Sequence, residues 1–173
     1  MRFQSTRDAG QTTGLGAAIA RGLAPDGGLY VPASLPQADV AALAAADDLP
    51  TLAERLISPF AAGDVMAQQL GDITRDAFNF AAPVVEVAGA GGPLSVLELF
   101  HGPTAAFKDF GARFLAATLE RIPRADPRRL TILVATSGDT GGAVAAAFFD
   151  RPWVDVVVLY PRGLVSPRQE KQL

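Results

Sequence analysis

Cysteine is absent from the 173 residues. Structural disulfides, thiolate metal sites and cysteine nucleophiles are therefore excluded. Histidine occurs once, at His101, so a histidine-based metal centre is not expected. Lysine is nearly absent too: of fifteen basic residues only Lys108 and Lys171 are lysines, and the rest are arginines. No apolar run approaches the ~18 residues of a membrane span, and no membrane partner is expected. The polar opening "MRFQSTRDAG" has no apolar segment of the secretory kind, which makes the cytoplasm the expected location. The net charge of −3 and a pI of about 5.1 imply no basic face, so nucleic acid is not an expected partner.

What is present is an ordinary globular composition, 49% hydrophobic and 19% charged. The patterning divides the chain into a small, mostly helical domain over 1–80 and an α/β domain over 81–173. In the first, "MRFQSTR" predicts a short strand. "TGLGAAIARGLAPDGGLYVP" predicts a helix, a Pro-Asp-Gly-Gly turn and a strand ending at Pro32. A short helix is expected near 37–46. Thr51 followed by Glu54 has the form of a capping box, and Pro59 should kink or end the helix it opens. "DVMAQQLGDITRDAF" predicts one amphipathic helix with Val65, Leu70, Ile73 and Phe78 as core positions. In the second domain, "APVVEV" and "LSVLELF" are strand-like. A helix over about 110–122 follows, with Leu115, Leu119 and Ile122 on one face. "RRLTILVA", "AVAAAFF" and "WVDVVVLY" then predict strand, helix and strand, the strands of the fully buried kind. The β-α-β-α-β order after residue 94 argues for a parallel sheet with crossover helices. Ser166 and Pro167 have the form of a cap and first helical residue in "SPRQEKQ". The sheet expected here has about three strands and no closing elements. The chain therefore reads as the front part of something larger, with an uncovered sheet edge through which it could self-associate.

Two stretches point to chemistry. "LTILVATSGDTGGAVAAAFF" is strand, glycine loop and helix, and the unpaired N–H groups at such a helix start attract an anion. Gly138, Gly141 and Gly142 allow close approach, and Ser137 and Thr140 add hydroxyl donors. The spacing is neither G-x-x-x-x-G-K-[ST] nor G-x-G-x-x-G. The plainer alternative is that Asp139 or Thr140 merely caps the helix. The second stretch is "HGPTAAFKDFGARF", where Lys108 stands among phenylalanines. Arginine cannot lose its proton, whereas lysine can, and its amine can form a Schiff base. In a chain that uses arginine elsewhere, a lysine here suggests amine chemistry. The alternative is a surface lysine paired with Asp109 or packed on the aromatic rings, as Lys171 reads as a solvated charge. His101 either contacts a ligand or orders its Gly-Pro turn through a backbone hydrogen bond, the second being preferred.

Taken together, "LELFHGPTAAFKDFGARF" and "TILVATSGDTGGAVAAAFF" resemble the threonine synthase family, pyridoxal-phosphate enzymes of the tryptophan-synthase-like fold. "GLAPDGGLYVP" and "YPRGLVSPRQEKQ" resemble the same family. The likeness covers essentially the whole chain, but only the N-terminal part of enzymes well over twice as long. It implies an α/β protein: a small helical domain, then the beginning of the parallel-sheet fold. It implies that Lys108 forms the Schiff base with pyridoxal 5'-phosphate, and that Asp139 also lies against the cofactor. Thr136, Ser137, Gly138, Asp139 and Thr140 would hold the substrate carboxylate. The implied reaction converts O-phospho-L-homoserine and water to L-threonine and phosphate. The family's Gly-Asn loop for the cofactor phosphate has no counterpart here, so these 173 residues alone should be inactive. A non-catalytic anion- or partner-binding fragment, or a related phospho-lyase, are the alternatives.

Overall fold

The computed structural model describes residues 1–89, 91–123, 129–136 and 138–173. The contacts group into two compact units. The first is Met1–Ala77 with Ala117–Arg124, the second Phe78–Ala116 with Ala125–Leu173.

The first unit opens with a three-stranded antiparallel sheet. Strand β1 (Phe3–Ser5) lies between β2 (Thr12–Thr13) and β3 (Tyr30–Pro32), with Phe3 opposite both Thr13 and Pro32. Helix α1 (Leu15–Arg21) ends at Gly22, whose positive φ of 73° suits a glycine and whose amide donates to the Ala18 carbonyl. Helix α2 (Val40–Ala44) is capped by Asp39, which accepts from the Ala42 amide. Helix α3 covers Leu49–Ala61, and here the expected capping box is corrected. The cap is Asp48, which accepts from the Thr51 amide at 2.7 Å, so Thr51 is already inside the first turn. A carboxylate two residues before Pro50 outcompetes the hydroxyl because Pro50 suits the first turn, where no N–H is needed. Pro59 lies within α3 and the helix runs on to Ala61.

Residues 64–78 form two elements rather than one. A 3-10 helix covers Val65–Gln68, capped by Asp64, and α4 covers Leu70–Ala77. The break rotates the apolar face. Met66 is fully buried, whereas Val65, expected in the core, is 61% exposed. Leu70 and Ile73 are buried as expected, and Phe78 is half-buried. Met66, Leu70 and Ile73, with Ala61 and Ala77, fill the core where α3 packs on α4.

In the second unit, β4 (Val84–Glu86) and β5 (Ser95–Leu97) form an antiparallel pair. Strand β5 therefore does not open a parallel β-α-β series among the described residues. The parallel pairing is that of β6 (Leu130–Ala135) with β7 (Val154–Leu159), in register from Leu130–Val154 to Ala135–Leu159. The crossover between them is α6 (Asp139–Phe148), as a parallel connection requires. Both strands alternate in burial instead of being buried on both faces. Leu133, Val157 and Leu159 are exposed on one side. On the α6 side, Phe148 meets Trp153 edge-on at 6.0 Å.

Helix α5 covers Lys108–Arg121, beginning two residues earlier than expected. Its first half belongs to the second unit, where Phe110 and Phe114 pack against Phe78 at ring separations of 6.1 and 6.0 Å. Leu119 and Ile122 are buried and Leu115 is half-buried. A last short helix, α7 (Pro167–Glu170), is capped by Ser166 as its sequence indicates. Among the described residues no helix is long and apolar enough to cross a membrane.

Candidate functional site

The site is built where the start of α5 faces the start of α6. Lys108 is the first residue of α5 rather than a residue just before it. Its Nζ lies 3.9 Å from Asp139 Oδ2 and 4.6 Å from the centre of the Phe107 ring. The first distance is within ion-pair range but too long for a hydrogen bond, so the amine is not tied down. The ring shields one side of it. The expected alternative partner, Asp109, points the other way. It is 1% exposed and accepts from the Thr104 amide and hydroxyl at 2.9 and 2.8 Å.

The loop after β6 is organised by Thr136. Its Oγ1 accepts from the amides of Gly138 and Gly141, both at 3.0 Å, and donates to the Gly138 carbonyl at 3.3 Å. Neither Asp139 nor Thr140 is the cap of α6. The cap position is Gly138, which makes no side-chain capping bond, and Thr136 supplies the oxygen from outside the helix. Gly138 has φ 157° and ψ −105°, a combination that an L side chain rarely adopts. With the Gly138 and Gly141 amides taken, those of Asp139 and Thr140 remain in the first turn of α6, where no intrahelical acceptor exists. The positive end of the helix dipole adds to their pull on an anion.

Lys108, Thr136, Gly138, Asp139 and Thr140 thus meet around one pocket of about 300 Å³, all within the second unit. Ser137, the remaining predicted residue of the loop, lies outside the described residues. The pocket has one further polar wall that the sequence reading missed. Gln169, in α7, donates from Nε2 to Asp139 Oδ1 at 3.1 Å, and its Oε1 accepts from Ser166 Oγ at 3.0 Å. The "SPRQEKQ" pattern marks a helix start but not where that helix docks. His101 is not part of this pocket. Its Nε2 is 2.7 Å from Glu98 Oε2 and its ring stacks on Phe100 at 4.8 Å. Its partner is therefore a carboxylate and not the expected backbone group.

This donor set fits one side of pyridoxal phosphate. A primary amine whose ionic partner stays at 3.9 Å, beyond hydrogen-bond distance, suits an aldehyde. Across the pocket, first-turn amides and the exposed Thr140 hydroxyl suit a carboxylate.

Comparison with known proteins gives matches along nearly the whole chain. The family model described as the threonine synthase N terminus matches residues 2–78. The chain is 42% identical over 173 residues to a threonine synthase of Escherichia coli, covering 99% of this chain and 39% of the relative. It is 34% identical to the threonine synthase of Saccharomyces cerevisiae, over 99% of this chain and 37% of that protein. Among solved structures, the threonine synthase of Escherichia coli superposes with a TM-score of 0.86 at 41% identity, over 99% of this chain and 40% of that one. A threonine synthase of Brucella melitensis, solved with pyridoxal phosphate bound, gives 0.87 at 37% identity, over 99% and 38%. The chain thus spans about two fifths of the length of the relatives it matches. Sequence and fold together make these 173 residues similar to the N-terminal part of threonine synthases.

Proposed function

We propose that the full-length protein is a threonine synthase that uses pyridoxal 5'-phosphate to convert O-phospho-L-homoserine and water to L-threonine and phosphate, in the cytoplasm. The observation that carries this reading is the placement of Lys108 Nζ across a single pocket from the first turn of α6, with Asp139 Oδ2 at 3.9 Å.

Lys108 is the residue that would hold the cofactor, through its amine, with Asp139 beside it. When bound, pyridoxal phosphate acts as an electron sink that acidifies protons on the substrate carbons next to the amino group. The chain's own residues do the rest. Lys108 Nζ takes and returns protons as a general base and acid. The Asp139 and Thr140 amides and the Thr140 hydroxyl bind the substrate carboxylate. Ser137, between Thr136 and Gly138, belongs to the same substrate loop. Thr136 accepts from the Gly138 and Gly141 amides, which leaves those of Asp139 and Thr140 for the substrate. Asp139 orients the amine, and Gln169 holds the second oxygen of that carboxylate.

On this reading the 173 residues alone do not turn over substrate. They self-associate through the open face of β6 and β7, where Leu133 and Leu159 are 66% and 53% exposed. Borohydride reduction of the full-length protein with pyridoxal phosphate, followed by peptide mapping, tests the assignment. The pyridoxyl label is expected on Lys108. A label on Lys171, or none, would refute it.

A further inference from the structure

Asp109 is a carboxylate side chain buried to 1% exposure, and no ion pair is made to it among the described residues. Both its oxygens go to one residue. Oδ2 accepts from the Thr104 amide and Oδ1 from the Thr104 hydroxyl. Gly102 lies under the same carboxylate: a Cβ there would come within 2.5 Å of Asp109 Oδ2. Between them the chain turns tightly. The Ala105 amide donates to the Gly102 carbonyl at 3.1 Å, and Ala105 itself sits at φ 56°, a left-handed conformation that opposes an alanine. The Asp109 amide then donates to the Ala106 carbonyl at 3.0 Å, leading directly into α5.

Burying a carboxylate is expensive, and an apolar residue would fill the space at less cost. What an apolar residue would not supply is direction. Successive side chains of an α-helix diverge by about 100° around its axis. Clamping Asp109 inward on Thr104 therefore sets the direction in which Lys108 leaves the helix, towards Asp139 and the α6 loop. We infer that Thr104 and Asp109 form a positioning couple that aims the Lys108 amine into its pocket. This rests on the reading of Lys108 given above.

The test uses the full-length protein and pyridoxal 5'-phosphate as the probe. Thr104→Ser keeps the hydroxyl. Thr104→Val keeps the shape and loses it. Asp109→Asn keeps one acceptor and loses the charge. Cofactor affinity and the visible circular dichroism of the bound chromophore are measured well below each variant's melting temperature. Thr104→Ser is expected to match the unsubstituted protein in both. Thr104→Val and Asp109→Asn are each expected to bind about tenfold more weakly, the loss of one charge-assisted hydrogen bond, with an altered dichroic band. A couple with a purely structural role would lower the melting temperature and leave affinity and dichroism unchanged. That result in either folded variant would overturn the inference alone. No pyridoxyl label on Lys108 of the unsubstituted protein would overturn the site assignment and this inference with it.

Discussion

Replacing Thr136 by valine isolates the group that shapes the anion loop. Valine has the same outline and the same fit to the end of a strand, so the change deletes only the hydroxyl. Three hydrogen bonds go with it: those from the Gly138 and Gly141 amides at 3.0 Å and the one to the Gly138 carbonyl at 3.3 Å. Gly138 and Gly141 are both buried, so water replaces the lost acceptor poorly. A buried donor left unsatisfied costs about 1–3 kcal/mol, and the carbonyl keeps its bond from Gly142, so a net loss of about 2–3 kcal/mol is expected. Thr136→Ser is the control. It keeps all three bonds and loses a methyl that packs against Gly141, where an added Cβ would lie 2.2 Å away. Removing one methyl costs about 1 kcal/mol. Urea denaturation of the full-length protein measures both, with the folding transition followed by a probe in the second unit. If Thr136→Val were as stable as the parent, or no worse than Thr136→Ser, the loop would not depend on this hydroxyl and the account of it would be wrong.

Thr140→Ala should weaken substrate binding roughly tenfold or more while leaving pyridoxal phosphate affinity nearly unchanged, as titrations of each would show; equal losses would mean that the loop holds the cofactor instead. Met66→Ala should destabilise by about 2–4 kcal/mol through the cavity it leaves, whereas Val65→Ala should stay within about 0.5 kcal/mol, and comparable effects in denaturant would contradict the register of the 3-10 turn. The Gly28 amide, then the Ser5 hydroxyl and the Arg7 charge, hold the Asp26 carboxyl below the usual aspartate range. Because the folded-state value is depressed, its contribution is present above the ordinary value and lost as the pH falls through the folded one. Asp26→Asn should flatten the acid side of the stability profile below about pH 4, and an unchanged profile would remove Asp26 from the acid transition.

Local chemistry accounts for what could be read in advance. The Ser166-Pro167 cap, the strand ending at Pro32 and the strand-loop-helix around Gly138 each depend on neighbours a few residues away, and each is found where the pattern puts it. Lys108 and the glycine loop after β6 were likewise legible as residue types at short spacing, and the structure brings Lys108, Thr136, Gly138, Asp139 and Thr140 to one pocket. The parallel partnership of β6 and β7 followed from the strand-helix-strand order of the sequence.

What the sequence could not decide was direction and competition. Asp48 and Thr51 both offer an oxygen to the start of α3, and the winner depends on which backbone turns first. Val65 and Met66 exchange places because a 3-10 turn advances the side chains by a different angle from an α-helix. Asp109 was the alternative partner for Lys108 because they adjoin in sequence, yet adjacent helical residues point apart, and Thr104 claims the carboxylate. Gln169 reaches Asp139 across thirty residues, a contact made only when α7 docks on the second unit. Residue types and turn chemistry were determined by the sequence itself, because they are set within one or two turns of chain. Which side chain faces the pocket, and which holds another in place, was decided by the tertiary structure, because each depends on what packs against it from far along the chain.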